Sequence, residues 1–199
     1  MIRGGAQSGL FSEGAYTRLE MKAPTEIEPE LFRKVMGHFV TGVSVVAALQ
    51  NGRPLGITVN ALSSASLNPA LVMVALDRRR FLTPIVRAAG RYGVSILGED
   101  QQALSDCFAG APVTPGREAF CGAAWHLGPT GLPLIDGAIA TLECTVVETF
   151  SAGDHDLFIG RVETLASEEH HPMPLLYYRR RYLRIERAAT AEVEGKPEG

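Results

Sequence analysis

Asn51 and Gly52 separate two runs rich in β-branched and apolar residues, TGVSVVAAL at 41–49 and RPLGITVNAL at 53–62. An Asn-Gly pair in this setting is the strongest local signal for a β-hairpin, because both residues tolerate the positive φ angles of a type I′ turn. A second, longer hairpin is predicted for residues 138–167, turning at SAGDHD, residues 151–156. Antiparallel pairing is therefore expected at two separate places in the chain.

The other segments predict further strands and a few short helices. Strands are expected at 70–77, which reads as fully buried, at 91–98, and at 175–186, where aromatic and basic residues alternate. A helix is expected at 28–40, with Pro29 in its first turn. Two more are expected at 83–90, with Thr83 as N-cap, Pro84 at its first position and Gly90 as its stop, and at 99–110, closed by Gly110.

This order of elements decides between the main fold classes. Strands and helices do not alternate strictly, so a doubly wound parallel sheet is not expected. Many strands, two hairpins and short helices predict a mainly β protein, folded as a closed antiparallel barrel with helices at its margins. The domain is expected to span residues 28–187. A flexible N-terminal tail is predicted for 1–27 and a polar C-terminal tail for 188–199.

Bulk properties exclude several functional classes. The 199 residues carry a net charge of −3, so no basic surface for binding nucleic acid is expected. The longest apolar run, residues 70–76, is far shorter than the ~20 residues of a membrane-spanning helix. No secretory signal is recognised at the start, which predicts a cytoplasmic protein. The three cysteines are far apart and odd in number, which favours buried or inert thiols in a reducing compartment over a disulfide framework.

Three polar segments are candidates for function. His170 and His171 could bind a metal ion, but adjacent residues of an extended chain point to opposite sides, so a solvated loop is favoured. His155 lies at the predicted hairpin tip, where an Asx-type turn explains its neighbours without requiring a histidine. The segment TVNALSSAS at 58–66 reads either as a polar loop or as a backbone cradle for a phosphorylated, planar cofactor.

Two features support the cradle. Asn60 offers a donor and an acceptor together, which suits the edge of a pyrimidine-like ring. Arginines 78–80 follow the next predicted strand, where they could neutralise a phosphate instead of forming only a solvated face. The glycine-rich motifs of Rossmann and Walker-type nucleotide binding are absent, as are the motifs of α/β-hydrolases and zincins.

Five segments together resemble the flavin reductase-like family, whose members have an FMN-binding split barrel. They are FRKVMGHFVTGVSVV, GITVNALSSASLNPALVMVAL, RAAGRYGVSILGEDQQALSDCFAG, GDHDLFIGRV and PLLYYRRRYLRI. No single segment is specific to this family, but the order and spacing of the five segments are. The resemblance covers residues 32–185 and is greatest to the small reductase component of two-component flavin-dependent monooxygenases.

The resemblance implies a homodimer that binds FMN or FAD, takes hydride from NADH or NADPH, and supplies reduced flavin to a separate oxygenase component. It implies that His155 lies near the nicotinamide. Arg80 and Phe81 replace the serines that the family often carries at its phosphate-contacting turn. The residues implied to contact the flavin are Thr58, Asn60, Ala61, Ser63, Ser64, Ser66, Leu67, Arg80, Thr83, Tyr178 and Arg181.

A flavin accepts electrons by itself. Such a protein therefore needs to position the flavin and nicotinamide rings more than it needs acid–base groups. Two alternatives remain open at this stage. One is a split-barrel protein that holds FMN without turnover, and the other is an oxidase of the pyridoxamine-phosphate type.

Overall fold

A computed structural model describes residues 26–111, 119–168 and 173–185 of the chain. Its helices are α1 (Pro29–Met36), α2 (Leu82–Ala89) and α3 (Gln102–Ala109). Its strands in chain order are β1 (Thr41–Gly42), β2 (Ser44–Gln50), β3 (Arg53–Val59), β4 (Leu62–Leu67), β5 (Ala70–Asp77), β6 (Arg91–Ile96), β7 (Trp125–Leu127), β8 (Pro133–Ile135), β9 (Ala140–Ala152), β10 (His155–Ser167), β11 (Leu176–Tyr178) and β12 (Arg181–Leu183).

Seven of the strands form one antiparallel sheet in the order β3-β2-β6-β9-β10-β5-β4. One core cluster contains side chains from β2, β3, β5, β6, β9, β10 and α2. A second cluster lies on the opposite face of β2, where Val45 and Ala47 pack with Phe108 of α3 and with Phe120. Because β2 is covered on both faces, it is buried almost throughout, from Ser44 to Ala48.

The predicted mainly β character with short helices is confirmed, whereas closure of the barrel is not. Strands β3 and β4 form the two edges of the sheet, and no ladder of hydrogen bonds joins them in the described part of the chain. The predicted tails, 1–27 and 188–199, fall outside the described residues apart from residues 26 and 27. No helix among the described residues is long and apolar enough to cross a membrane.

Both predicted hairpins are present. Gln50 pairs with Arg53 across a two-residue turn in which Asn51 and Gly52 have φ angles of 51° and 75°. The long hairpin joins β9 to β10 through Gly153 and Asp154, so that Ala152 faces His155. Gly90 ends α2 in the left-handed region, as expected, and Gly110 does the same for α3.

Several local predictions are wrong. Strand β5 is buried only on alternate residues, because one of its faces lines the core and the other does not. Residues 62–67 are not a loop but the edge strand β4, paired to β5. The predicted last strand is a hairpin of β11 and β12, and Arg179 and Arg180 form its turn with φ angles of 48° and 65°.

Two helix boundaries also differ from their predictions. Helix α2 begins one residue before Thr83, whose hydroxyl donates to the Asp77 carbonyl at 2.7 Å instead of capping the helix. Helix α1 ends at Met36, earlier than predicted, and the Gly37 amide closes its last turn on the Arg33 carbonyl at 2.9 Å. Pro29 occupies the first turn of α1 as expected.

The cysteines correct the expectation of three separate thiols. Cys107 at the end of α3 forms a disulfide with Cys121, and their Cα atoms are 5.9 Å apart. Spacing along the chain did not reveal this pair, because tertiary packing of α3 against residues 119–122 brings the two together. Cys144 is a buried free thiol, as expected. Burial raises its pKa to about 12, so it is protonated and unreactive at neutral pH.

A buried carboxylate links β9 by hydrogen bonds to the loop that precedes β8. Glu143 accepts hydrogen bonds from the Thr130 and Leu132 backbone amides and from the hydroxyls of Thr130 and Thr164, at 2.7–3.1 Å. A Cβ atom on Gly128 would lie 2.5 Å from the carboxyl carbon of Glu143. Burial opposes ionisation of Glu143, but these hydrogen bonds outweigh it and keep its pKa below the ordinary value.

Candidate functional site

A cavity of about 190 Å³ opens between β3 and α3, and it contains three of the predicted site residues. Thr58 of β3 and Asn60, the first residue after that strand, both line it. Arg80 reaches it from the turn that follows β5. The remaining lining residues are Val43, Ser105, Ala109, Tyr177 and Tyr182.

Hydrogen bonds fix the polarity of this cavity. The Thr58 hydroxyl donates to the Ser105 carbonyl at 2.6 Å, so toward the cavity its oxygen can only accept. Tyr182 donates to the Asp106 carboxylate at 3.0 Å, so the Ser105 hydroxyl, 2.9 Å away, must donate to Tyr182. The donors left for a ligand include the Asn60 amide and the Arg80 guanidinium, and Tyr177, which also carries a hydroxyl, lines the same cavity. This set suits an anionic ligand with a ring edge that both donates and accepts.

A groove of about 470 Å³ meets the cavity at Asn60, which lines both. Ala61 and Ser63 also line the groove, as do Phe39, Val40 and Met73. The buried Thr41 hydroxyl in its wall has no hydrogen-bond partner among the described residues. The cavity and the groove therefore fit a group with an apolar ring system and a polar edge.

The turn after β5 presents three arginines in different ways. Arg78 donates to the Gly153 carbonyl of the long hairpin. Arg79 bonds the Asp77 carboxylate at 2.7 Å through its side chain, which holds the pKa of Asp77 far below its ordinary value. Arg80 makes only a 3.4 Å contact to the Ala109 carbonyl and has no carboxylate partner among the residues described. Arg78 and Arg80 each bond a backbone carbonyl and no carboxylate among the residues described. Of these two, Arg80 is the one that lines the cavity and can meet an anion there.

His155 lies at the same end of the sheet as this turn, because it pairs with Asp77 across β10 and β5. Its Nδ1 atom is 2.7 Å from the Asp154 carboxylate, a hydrogen bond that keeps the pKa of Asp154 below its usual range. The ring is partly exposed and lines neither the cavity nor the groove. Its role toward the nicotinamide stays a prediction.

The other predicted residues lie away from the cavity. Ser64, Ser66 and Leu67 continue along β4, and Leu67 is 92% exposed. Thr83 is buried against the Asp77 carbonyl. Tyr178 and Arg181 face each other beside the turn of β11 and β12, and Tyr178 packs edge-on to His38 at 6.1 Å. Their contacts with a flavin also stay predictions.

Sequence reasoning missed the residues that α3 and β12 contribute. Ser105 and Tyr182 are 77 positions apart in the chain, and no local motif marks either of them. The described residues contain no group of three or more His, Cys, Asp or Glu side chains placed to hold a metal ion. His170 and His171 lie outside the described residues.

Comparison with known proteins gives matches over most of the chain. The model of the flavin reductase like domain matches residues 36–186. An NADH-dependent flavin reductase of Rhodococcus sp is 40% identical over 151 residues, covering 74% of this chain and 82% of its own. The reductase component of 4-hydroxyphenylacetate 3-monooxygenase of Thermus thermophilus is 37% identical over 156 residues, covering 78% of this chain and 96% of its own.

A solved structure agrees with these matches. The NADH:FAD oxidoreductase SgcE6 of Streptomyces globisporus C-1027, in complex with NAD and FAD fragments, superposes with a TM-score of 0.73 at 30% sequence identity. The alignment covers 83% of this chain and 99% of that one. The family match spans all twelve described strands and includes every residue that lines the cavity between β3 and α3. The chain therefore belongs to the flavin reductase-like domain family.

Proposed function

We propose that this protein is an NAD(P)H-dependent flavin reductase that supplies reduced flavin to a separate monooxygenase component. The observation that carries the proposal is the cavity in which Thr58, Asn60 and Arg80 meet. Thr58 can accept, Asn60 can donate and accept, and Arg80 can pair with a phosphate. These are the contacts that a flavin mononucleotide unit offers along its pyrimidine edge and its phosphate.

The chain's own residues bind the flavin and orient it. When bound, the flavin supplies the redox chemistry by accepting two electrons from the reduced nicotinamide. Asn60 would hold the polar edge of the ring, and the apolar groove residues Val40 and Met73 would pack against its body. His155, at the same end of the sheet, would orient the incoming dinucleotide. Rate enhancement then comes mainly from holding two rings in contact.

The decisive experiment is oxidation of NADH and of NADPH by the purified protein, with FMN, FAD and riboflavin added in turn. Turnover with at least one flavin is expected. Flavin binding without turnover would favour a protein that only holds the cofactor. Oxidation of pyridoxamine 5′-phosphate without use of NAD(P)H would favour the oxidase alternative. Absence of micromolar binding of either FMN or FAD in equilibrium dialysis would overturn the proposal.

The oxygenase partner follows from the relatives, several of which are named as reductase components of monooxygenases. We propose a homodimer because the apolar side of α1 is exposed, with Phe32 at 56% and Val35 at 60%. Large contiguous apolar surfaces of this kind mark association sites. Closure of the split barrel and a cytoplasmic location are proposed with it, and both stay predictions.

A further inference from the structure

We infer that a cationic pocket between α1 and the β11–β12 turn binds the 2′-phosphate of NADPH and makes NADPH the preferred hydride donor. The inference rests on the proposed function and names the donor that it uses. The pocket has a volume of about 410 Å³, and four cations line it, Arg33, Lys34, Arg179 and Arg180. Among the described residues that line it, only Glu30 is acidic. This excess of positive charge lies on a chain whose net charge is −3.

The guanidinium groups of two separate elements converge on one point in this pocket. The Glu30 carboxylate lies 2.7 Å from an Arg33 nitrogen of α1 and 3.5 Å from an Arg180 nitrogen of the turn. Lys34 and Arg179 make no ion pair with any residue in the described ranges. The pocket therefore holds more positive charge than Glu30 neutralises, and a phosphate can neutralise the rest through charge-assisted hydrogen bonds.

The turn that supplies Arg179 and Arg180 carries residues that its backbone does not favour. Both have positive φ angles, 48° and 65°. The first hairpin of the chain has a turn of the same length, occupied by Asn51 and Gly52, the pair that such turns prefer. Arginine in this conformation costs free energy because its Cβ atom crowds the neighbouring carbonyl, and strain of this kind clusters at functional sites. The two arginines are therefore poorly suited to the turn and well suited to an anion.

The helix dipole gives another reason for basic residues in the last turn of α1. Arg33 and Lys34 complement the partial negative charge at the carboxyl end of that helix. This reason does not extend to Arg179 and Arg180, which lie on a different element. The inference is therefore tested at the turn and not at the helix.

Two paired segments connect the pocket to the cavity and to the groove. The Arg179 amide donates to the Gly37 carbonyl at 2.9 Å, and both residues line the pocket. Further along the same two segments, Thr41 pairs with Tyr177. Thr41 lines the groove and Tyr177 lines the cavity. The two residues from Tyr177 to Arg179 span at most about 7 Å, so a dinucleotide bound in the groove can reach the pocket with its adenosine half.

The chemistry of the two nicotinamide donors decides which anion fits. NADH and NADPH share their nicotinamide, diphosphate and adenine groups, and differ only at the 2′ position of the adenosine ribose. A phosphate monoester carries about −1.5 to −2 charges at pH 7 and offers three acceptor oxygens. Guanidinium groups bind it with paired hydrogen bonds. The 2′-hydroxyl of NADH would leave the charges of the pocket unneutralised.

Binding of the oxidised dinucleotides tests the assignment without turnover. Dissociation constants for NADP+ and NAD+ are measured by calorimetry with the full-length chain in saturating FMN. The wild type is expected to bind NADP+ at least about tenfold more tightly than NAD+. Arg179→Asn/Arg180→Gly introduces the pair that the first hairpin uses, so it removes two charges and keeps the turn. It should reduce the NADP+ preference by at least about fivefold and leave the affinities for NAD+ and FMN unchanged.

A thermal melt separates loss of the pocket from loss of the fold. Because Asn and Gly suit the turn better than two arginines do, the melting temperature of Arg179→Asn/Arg180→Gly should equal or exceed that of the wild type. Arg53→Gln/Arg161→Gln is the matched control, since it removes the same charge from exposed positions of β3 and β10. It should leave the ratio of the two dissociation constants unchanged.

The outcomes for the inference and for the proposed function are distinct. Wild-type affinity for NAD+ that equals or exceeds the affinity for NADP+ would overturn the inference, as would equal losses for both dinucleotides in Arg179→Asn/Arg180→Gly. Either result would leave the proposed reductase intact as long as NADH is oxidised. Failure to oxidise NADH and NADPH with every flavin would overturn the proposed function, and the inference with it.

Discussion

Asn60 is the side chain common to the cavity and the groove, so its removal should affect flavin binding directly. Asn60→Ala is expected to raise the flavin dissociation constant roughly 5- to 150-fold, because truncation leaves polar ring atoms unpaired at a cost of about 1–3 kcal/mol. The measurement is fluorescence titration of the variant. Gln50→Ala removes an exposed amide from the end of β2 and should bind flavin normally. Equal dissociation constants for the two variants would count against the assignment of Asn60.

Ser151, beside the turn of the long hairpin, is not a neutral position for a control substitution. Its hydroxyl donates to the Asp156 carboxylate at 3.1 Å, and that carboxylate is buried. Arg87 bonds the other oxygen of Asp156. Burial opposes ionisation of Asp156, but these two partners outweigh it and lower its pKa. A change at Ser151 would therefore alter stability even if flavin binding did not depend on it.

Glu143 gives a prediction about acid stability. Its pKa is lower in the folded protein, so its contribution is complete above its unfolded pKa of about 4.3 and is lost as the pH falls through the folded value. Glu143→Gln should reduce the free energy of unfolding by about 1.5–3 kcal/mol at pH 7, since it removes charge-assisted hydrogen bonds. Urea titrations at several pH values should show this difference shrinking toward pH 3.

Glu148→Gln is the matched control for Glu143, because Glu148 lies on the same strand and is exposed. Its effect on the free energy of unfolding should stay within about 0.5 kcal/mol. A Glu143→Gln difference that does not change with pH would show that lost packing, not charge, is responsible.

Strands β6, β9 and β10 meet at a contact that tolerates no extra atom. A Cβ atom on Gly160 of β10 would lie 2.3 Å from the Tyr92 hydroxyl and 2.9 Å from the Cys144 Cβ atom. Gly160→Ala should therefore lower the free energy of unfolding by about 1–3 kcal/mol, the usual result of overpacking. Calorimetry or urea unfolding would measure the loss.

The double variant Gly160→Ala/Tyr92→Phe isolates the cause. The Tyr92 hydroxyl has no partner meeting hydrogen-bond geometry in the described residues, so removing it should cost little. The double variant should then regain part of the stability lost in Gly160→Ala, because the Cζ atom of residue 92 and the Cys144 Cβ atom stay within 2.8 Å and 2.9 Å of the new methyl group. If it is no more stable than the single variant, the strain arises from the backbone or from Cys144 instead.

The hairpin of β9 and β10 positions His155, and His126 provides a comparison. Both histidines bond a neighbouring carboxylate through Nδ1, at 2.7 Å and 2.6 Å respectively, but His126 lies on β7. His155→Ala should lower kcat/KM for NADH roughly 5- to 150-fold while leaving flavin affinity intact. His126→Ala should change neither. Stopped-flow reduction at varied NADH checks this, and an unchanged rate and NADH affinity for His155→Ala would remove its assigned role.

The sequence predictions were accurate where the structure depends on residues close together in the chain, and they failed where it depends on contacts between distant segments. Asn51 and Gly90 were read correctly, because the turn and the helix end depend on their own backbone preferences. Strand β4 was missed, because an edge strand with exposed serines has no buried face to produce an alternating pattern. The Cys107–Cys121 pair and the contribution of Tyr182 depend on contacts between distant segments, which a single sequence does not encode locally.

At the scale of the whole molecule, the exposed side of α1 predicts association between two copies. Phe32→Asp combined with Val35→Asp should shift the protein to a monomer at micromolar concentration, because each substitution places a charge in an apolar interface. Light scattering after gel filtration measures the mass. Gln102→Asp with Ala103→Asp adds the same charge to exposed positions of α3 and should leave the mass unchanged. A dimer that survives the α1 substitutions would place the interface elsewhere.

The packing of Gly128 against Glu143 has an evolutionary consequence. With only 2.5 Å between the Glu143 carboxyl carbon and a Cβ atom built on Gly128, neither position can vary alone without loss. A descendant that acquires a side chain at 128 must first shorten or lose the glutamate, and the four donor groups that surround the carboxylate would then need water or a new acceptor. The two positions should therefore covary among homologous sequences, with glycine and glutamate gained or lost as a pair.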